Sequence, residues 1–136
     1  VAKDNLEIDV LGDPQPQARA RTVSKQGRTW SYSPKNVWKE LVSYHMKRTK
    51  PLEPMAGNLN VLLMFRMPRP KSVKSNLWWM NKRPDWDNLA KAVTDAMQDS
   101  GWIEDDGQIV RAQVTKRYPM PSEAPGCLIR IEKIKE

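Results

Sequence analysis

Arg83-Pro84-Asp85-Trp86-Asp87-Asn88-Leu89-Ala90-Lys91 sets two carboxylates and an ammonium close together, and Asp105-Asp106-Gly107 adds a second acidic pair downstream. Residues of these types can cap a helix, form an i,i+4 ion pair, or hold a cation beside a phosphate. Taken alone, Asp-x-Asp reads as a helix start and Asp-Asp-Gly as a turn before a strand. Their joint spacing asks for more. If the turn returns to the start of the helix, Asp85, Asp87 and Asp106 crowd a space that a cation must neutralise, since like charges raise one another's pKa. Oxygen donors alone suit magnesium, with manganese as the second choice. Magnesium keeps several waters, and these can serve as nucleophiles against a phosphodiester.

A helix starting near Asp85 would place Leu89, Ala92, Val93, Ala96 and Met97 on one apolar stripe at 100° per residue, with Asp87 and Lys91 on the opposite face. Those two are four apart and pair with one another or with a common phosphate. Asp95 and Asp99 are expected to lie away from the site. Ser33 before Pro34 signals an earlier helix, with Val37, Trp38, Leu41, Val42 and Met46 at helical spacing as far as about Arg48. Leu6, Ile8 and Val10 alternate with acidic residues as in a half-buried strand. Leu59 to Met67 is apolar on both faces, which suits an interior strand covered on both sides and puts the middle of the sheet there. Two more period-two runs follow, Val110-Ala112-Val114 and Cys127-Ile129-Ile131.

The order is therefore strand, helix, strand, helix, strand, strand, and the fold class is α/β of the α+β type, a mixed sheet carrying two main helices. Residues 1–136 form a single domain, because a chain of this length buries one sizeable core and hardly two. Pro14 to Ser33 reads as an exposed basic loop or hairpin. Arg69 to Arg83 is a long irregular basic loop, of the kind that is functional or mobile.

The net charge of +7 points to a polyanionic partner, nucleic acid first. Arg19, Arg21, Lys25, Arg28, Lys71, Lys74 and Lys82 are the expected phosphate contacts. One cysteine, Cys127, and one histidine, His45, exclude both a disulfide framework and a Cys/His zinc site. His45 reads as a surface or packed helix residue, and Trp38 and Trp102 as core. Trp78 and Trp79 read as packing or a dimer seam, with stacking on unpaired bases as the functional alternative. No run of about 18 apolar residues and no signal-peptide pattern occurs, so the expected compartment is the cytoplasm and no membrane partner is expected.

The stretch from Pro84 to Val93 with Asp95-Ala96, followed by Trp102, Asp105-Asp106 and Gln108, resembles the signature of the RusA family of Holliday junction resolvases. Weaker similarity runs upstream through Gly27-Arg28, Ser33-Pro34-Lys35 and Pro68-Arg69-Pro70-Lys71-Ser72, and covers most of the chain. The resemblance implies a small dimeric α/β enzyme, common in phages and prophages, that resolves four-way DNA junctions by paired symmetric nicks with a divalent metal. It also implies that Asp85, Asp87 and Asp106 bind the metal and that Lys91 is the catalytic lysine near the scissile phosphate. Trp86 in the variable middle position, and Ala18-Arg19-Ala20-Arg21 in place of a more usual Lys-Gly-Arg-Pro-type run, bear on junction sequence preference. Two other readings stay open: a metal nuclease for another branched DNA, and a basic DNA-binding protein in which the carboxylates only cap and turn.

Overall fold

The computed structural model describes residues 4–17, 21–32 and 35–135. Arg19 and the Ser33-Pro34 signal lie outside the described residues, as does the side chain of Arg21. Strands β1 (Asn5–Leu11), β4 (Leu59–Arg66), β5 (Ile109–Arg117) and β6 (Gly126–Lys133) form one mixed sheet in the order β1-β6-β4-β5. Only β4 and β5 run parallel; β6 is antiparallel to both of its neighbours. The intervening β2 (Arg21–Lys25) and β3 (Arg28–Tyr32) pair with each other as a separate exposed hairpin. The helices are α1 (Val37–Thr49) and α2 (Trp86–Ser100). The expected mixed sheet with two helices is what the chain forms.

Period-two patterning builds the core. Leu59, Val61, Leu63 and Phe65 of β4 are fully buried, while Asn60, Leu62 and Met64 on the alternate face are only half-buried. One face of the central strand is thus dry and the other partly wet, where apolarity on both faces predicts full cover. In register with the dry face are Cys127, Ile129 and Ile131 of β6, all fully buried. β5 is the edge strand, and its first half is open to solvent, with Val110 60 % exposed.

Helix α1 has Asn36 as its N-cap. The Asn36 side chain accepts the N–H of Lys39 at 3.0 Å, so it caps the first turn itself. The same side chain donates to the Pro16 carbonyl at 2.8 Å and draws the segment before the hairpin against the helix. In α2 the stripe predicted from the sequence is the buried one: Leu89, Ala92, Val93, Ala96 and Met97. Burying a side chain such as Leu89 contributes about 1.5–3 kcal/mol. Gly101 then ends α2 in the left-handed region (φ 86), where a Cβ would be strained. Directly after it, buried Trp102 donates its indole N–H to the Met46 carbonyl at 2.8 Å and locks the end of α2 to α1.

Candidate active site

The acidic motifs and Lys91 all lie in the crossover between parallel strands β4 and β5. That crossover comprises the basic loop, α2 and a short 3-10 turn at Asp106–Gln108. Each part is held by identifiable side chains. Arg69 donates to the carbonyls of Lys74 and Leu77 and stacks on Tyr118, its guanidinium carbon 4.6 Å from the ring centroid. Arg117, buried in the sheet, lies 4.5 Å over the Trp78 ring. Trp79 bridges to Arg117 beside the end of β5. Lys116 reaches from β5 to the carbonyls of Lys82 (2.6 Å) and Pro84 (2.8 Å), and so fixes the backbone on which Asp85 sits. The long loop is irregular, as expected, but stapled along its length.

Asp85 occupies the N-cap position of α2 with extended backbone, yet its side chain makes no capping hydrogen bond. The carboxylate is exposed and uncommitted to the helix. Asp87, in the first turn and also exposed, accepts the N–H of Asn88 at 2.9 Å. Trp86 between them is 58 % exposed. On the other side of this first turn, the N–H of Gln17 donates to the Asn88 carbonyl at 2.9 Å. Gln17 thus sits against the acidic motif, and the basic run containing Arg19 and Arg21 follows it in sequence.

The distal acidic pair divides its labour. Asp105 caps the 3-10 turn by accepting the Gly107 N–H at 2.9 Å, and Gln108 completes a capping box by accepting the Asp105 N–H at 3.1 Å. Gln108 also donates to the carbonyls of Met55 and Gly57, which anchors the turn. Asp106 is left free of capping. Its N–H is held by Gln98 Oε1 of α2 at 3.0 Å, and its carboxylate Oδ2 lies 3.6 Å from Lys91 Nζ. The turn does come back to the helix, but at Lys91 and Gln98 along its length.

Lys91 departs from its expected partner. Among the described residues its ion pairs are with Asp95 (3.0 Å) and Asp106 (3.6 Å), not with Asp87. Both Asp87 and Asp95 are four residues away; the arrival of Asp106 from the turn draws the ammonium toward the Asp95 side. Asp95, by hydrogen bond and by charge, raises the Lys91 pKa above the ordinary lysine value; slight dehydration lowers it, and Asp106 adds a smaller upward contribution. Held in this way, Lys91 can offer a charge and a donor. Asp95, expected to lie away from the site, instead contacts Lys91; in the sequence its place in the family signature and its i,i+4 spacing to Lys91 were the signals.

The donor set of Asp85, Asp87 and Asp106 is carboxylate oxygen throughout, which is the chemistry magnesium and manganese take. With Asp106 turned to Lys91, no group of three acidic, histidine or cysteine side chains among the described residues is spaced to hold a metal ion. Lys25 and Arg28 flank the turn of the exposed hairpin, while Lys71, Lys74 and Lys82 lie exposed along the stapled loop. Trp78 and Trp79 are 39 % and 66 % exposed, whereas Trp38 and Trp102 are core. Among the described residues no helix is long and apolar enough to cross a membrane. The family model described as endodeoxyribonuclease RusA matches residues 12–132. No curated protein matches the sequence.

Proposed function

The chain belongs to the RusA family of endodeoxyribonucleases, and from that membership we propose that it resolves four-way DNA junctions as a homodimer. Each protomer would cut one strand of a symmetric pair, with magnesium, or manganese in its place, held by Asp85, Asp87 and Asp106. The observation that carries this reading is the Lys91–Asp106 contact: the fold brings a carboxylate from beyond α2 to the lysine that follows the Asp85-Trp86-Asp87 motif. A chain in which these residues only cap and turn has no need of that approach, and Asp85 makes no cap bond.

A bound divalent cation would supply polarising charge at the scissile phosphate and a nucleophilic water. The residues of the chain do the rest. Lys91, always charged, offsets negative charge that grows on the phosphoryl oxygens in the transition state, when such a donor counts most. The first turn of α2 directs free N–H groups and the positive end of the helix toward a phosphate. Lys25 and Arg28 on the hairpin and Lys71, Lys74 and Lys82 on the loop would neutralise backbone phosphates along the arms of the junction, and Arg19 and Arg21 would add to that charge. Exposed Trp78 and Trp79 offer faces for unpaired bases at the junction centre. A cytoplasmic setting, in a bacterial or phage-infected cell, follows from this substrate.

Cleavage of a synthetic four-way junction, with and without Mg²⁺, tests the reading. Paired nicks at symmetric positions that require Mg²⁺ are expected. Intact junctions under all conditions, with binding retained, would replace it with a DNA-binding role. Cleavage confined to flaps or other branches would keep the nuclease and change its substrate.

A further inference from the structure

An ammonium on an exposed four-carbon stem samples many rotamers unless something confines it. Two carboxylates confine Lys91, and they are not equivalent. Asp106 makes the longer contact, at 3.6 Å, and on the reading above its carboxylate also serves a metal cation. Asp95 is closer, at 3.0 Å, lies one turn further along the same helix, and is itself only 23 % exposed. A second lysine holds it from behind: Lys39 of α1 places Nζ 3.8 Å from Asp95 and 3.8 Å from Asp99. The Asp95 carboxylate is thus fixed between two helices that Trp102 has already locked together.

We propose that Asp95 is a positioning residue that keeps the Lys91 ammonium aimed at the reacting phosphate when Asp106 turns to the cation. The inference rests on Lys91 acting at that phosphate. An i,i+4 pair in the Lys-before-Asp order adds little to helix stability, so stability alone gives Asp95 a small role. Orientation gives it a larger one, because a charge displaced by an ångström from a reacting group forfeits much of its effect. Asp95 touches neither substrate nor metal in this scheme; it acts through Lys91.

The test compares Asp95→Asn, Asp95→Glu, Lys91→Ala and the Asp95→Asn/Lys91→Ala double variant on a four-way junction with Mg²⁺. Asp95→Ser is read beside Asp95→Asn, so that a folding failure in one leaves the comparison intact. Asp95→Asn should lower kcat on the order of 10- to 100-fold with KM and junction affinity unchanged. Asp95→Glu should recover part of the rate, and the double variant should be no slower than Lys91→Ala alone. Normal kcat in Asp95→Asn beside a slow Lys91→Ala would overturn the positioning role and leave the role of Lys91 standing. Normal kcat in Lys91→Ala would remove the premise itself. A double variant much slower than Lys91→Ala would show Asp95 acting independently of the lysine, and would also overturn the proposal.

Discussion

Lys91 Nζ lies 3.6 Å from Asp106 Oδ2, so the ammonium of one helix and a carboxylate delivered by the following turn share a single contact. Lys91→Ala should slow junction cleavage on the order of 100-fold while leaving binding nearly intact, because the charge acts chiefly in the transition state. Single-turnover rates beside gel-shift affinities check this. An unchanged rate would return Lys91 to the status of a surface ion-pair residue.

Asp85→Asn, Asp87→Asn and Asp106→Asn should each abolish cleavage, keep the fold, and bind junctions as well as the parent or better. The change is nearly isosteric, but it removes an anionic oxygen that a magnesium ion needs and a charge that repels phosphates. Asp105→Asn should retain activity by comparison, since Asp105 is occupied in capping the turn. Mg²⁺-dependent cutting by Asp87→Asn at the parent rate would mean that the site has been misplaced.

Binding should fall steeply with salt and favour four-way junctions over linear duplex at moderate ionic strength. Lys82→Ala, Lys74→Ala and Lys71→Ala should each reduce the slope of log affinity against log salt by about 1 if the residue neutralises a phosphate. Titrations at several salt concentrations measure this directly, and an unchanged slope would remove that lysine from the interface.

Buried Arg117 donates to both oxygens of Glu123, at 2.7 and 2.9 Å, and the Met120 N–H adds a third bond. The Arg117 hydrogen bonds first, then that N–H, hold the Glu123 carboxyl down at about 2, against an ordinary value of 4.5. A lowered folded-state pKa gives stability that is complete above the ordinary value and is lost as pH falls from 4.5 toward 2. Glu123→Gln should cost about 1–3 kcal/mol at neutral pH and flatten the acid limb of a urea-midpoint profile over that range. A parallel decline in parent and variant would show that the pair does not govern acid stability.

Periodicity made the core of α2 legible, since Leu89 to Met97 recur at helical spacing and nothing in the tertiary fold competes with that stripe. The acidic motifs were legible as a set for the same local reason. Local spacing did not choose between partners: Lys91 is four residues from both Asp87 and Asp95, and only the approach of Asp106 in three dimensions decides for Asp95. Nor did it separate Asp105 from Asp106, which differ only in which carboxylate faces the turn and which faces α2. The staples of the basic loop were equally hidden, because Lys116 and Arg117 belong to a strand far along the chain from the carbonyls and rings they hold. Asn36 as the cap of α1 was not legible either, because its grip on the Pro16 carbonyl is a contact across twenty residues.

β6 is the last strand along the chain, yet it lies inside the sheet, hydrogen-bonded to β1 on one side and to β4 on the other. During synthesis β1 can find no place in that sheet until Gly126–Lys133 has left the ribosome, because it pairs with no other strand there. A nascent chain therefore carries its DNA-attracting charge before it has a completed sheet beneath it. The sheet closes only when β6 inserts between two strands that were both made before it.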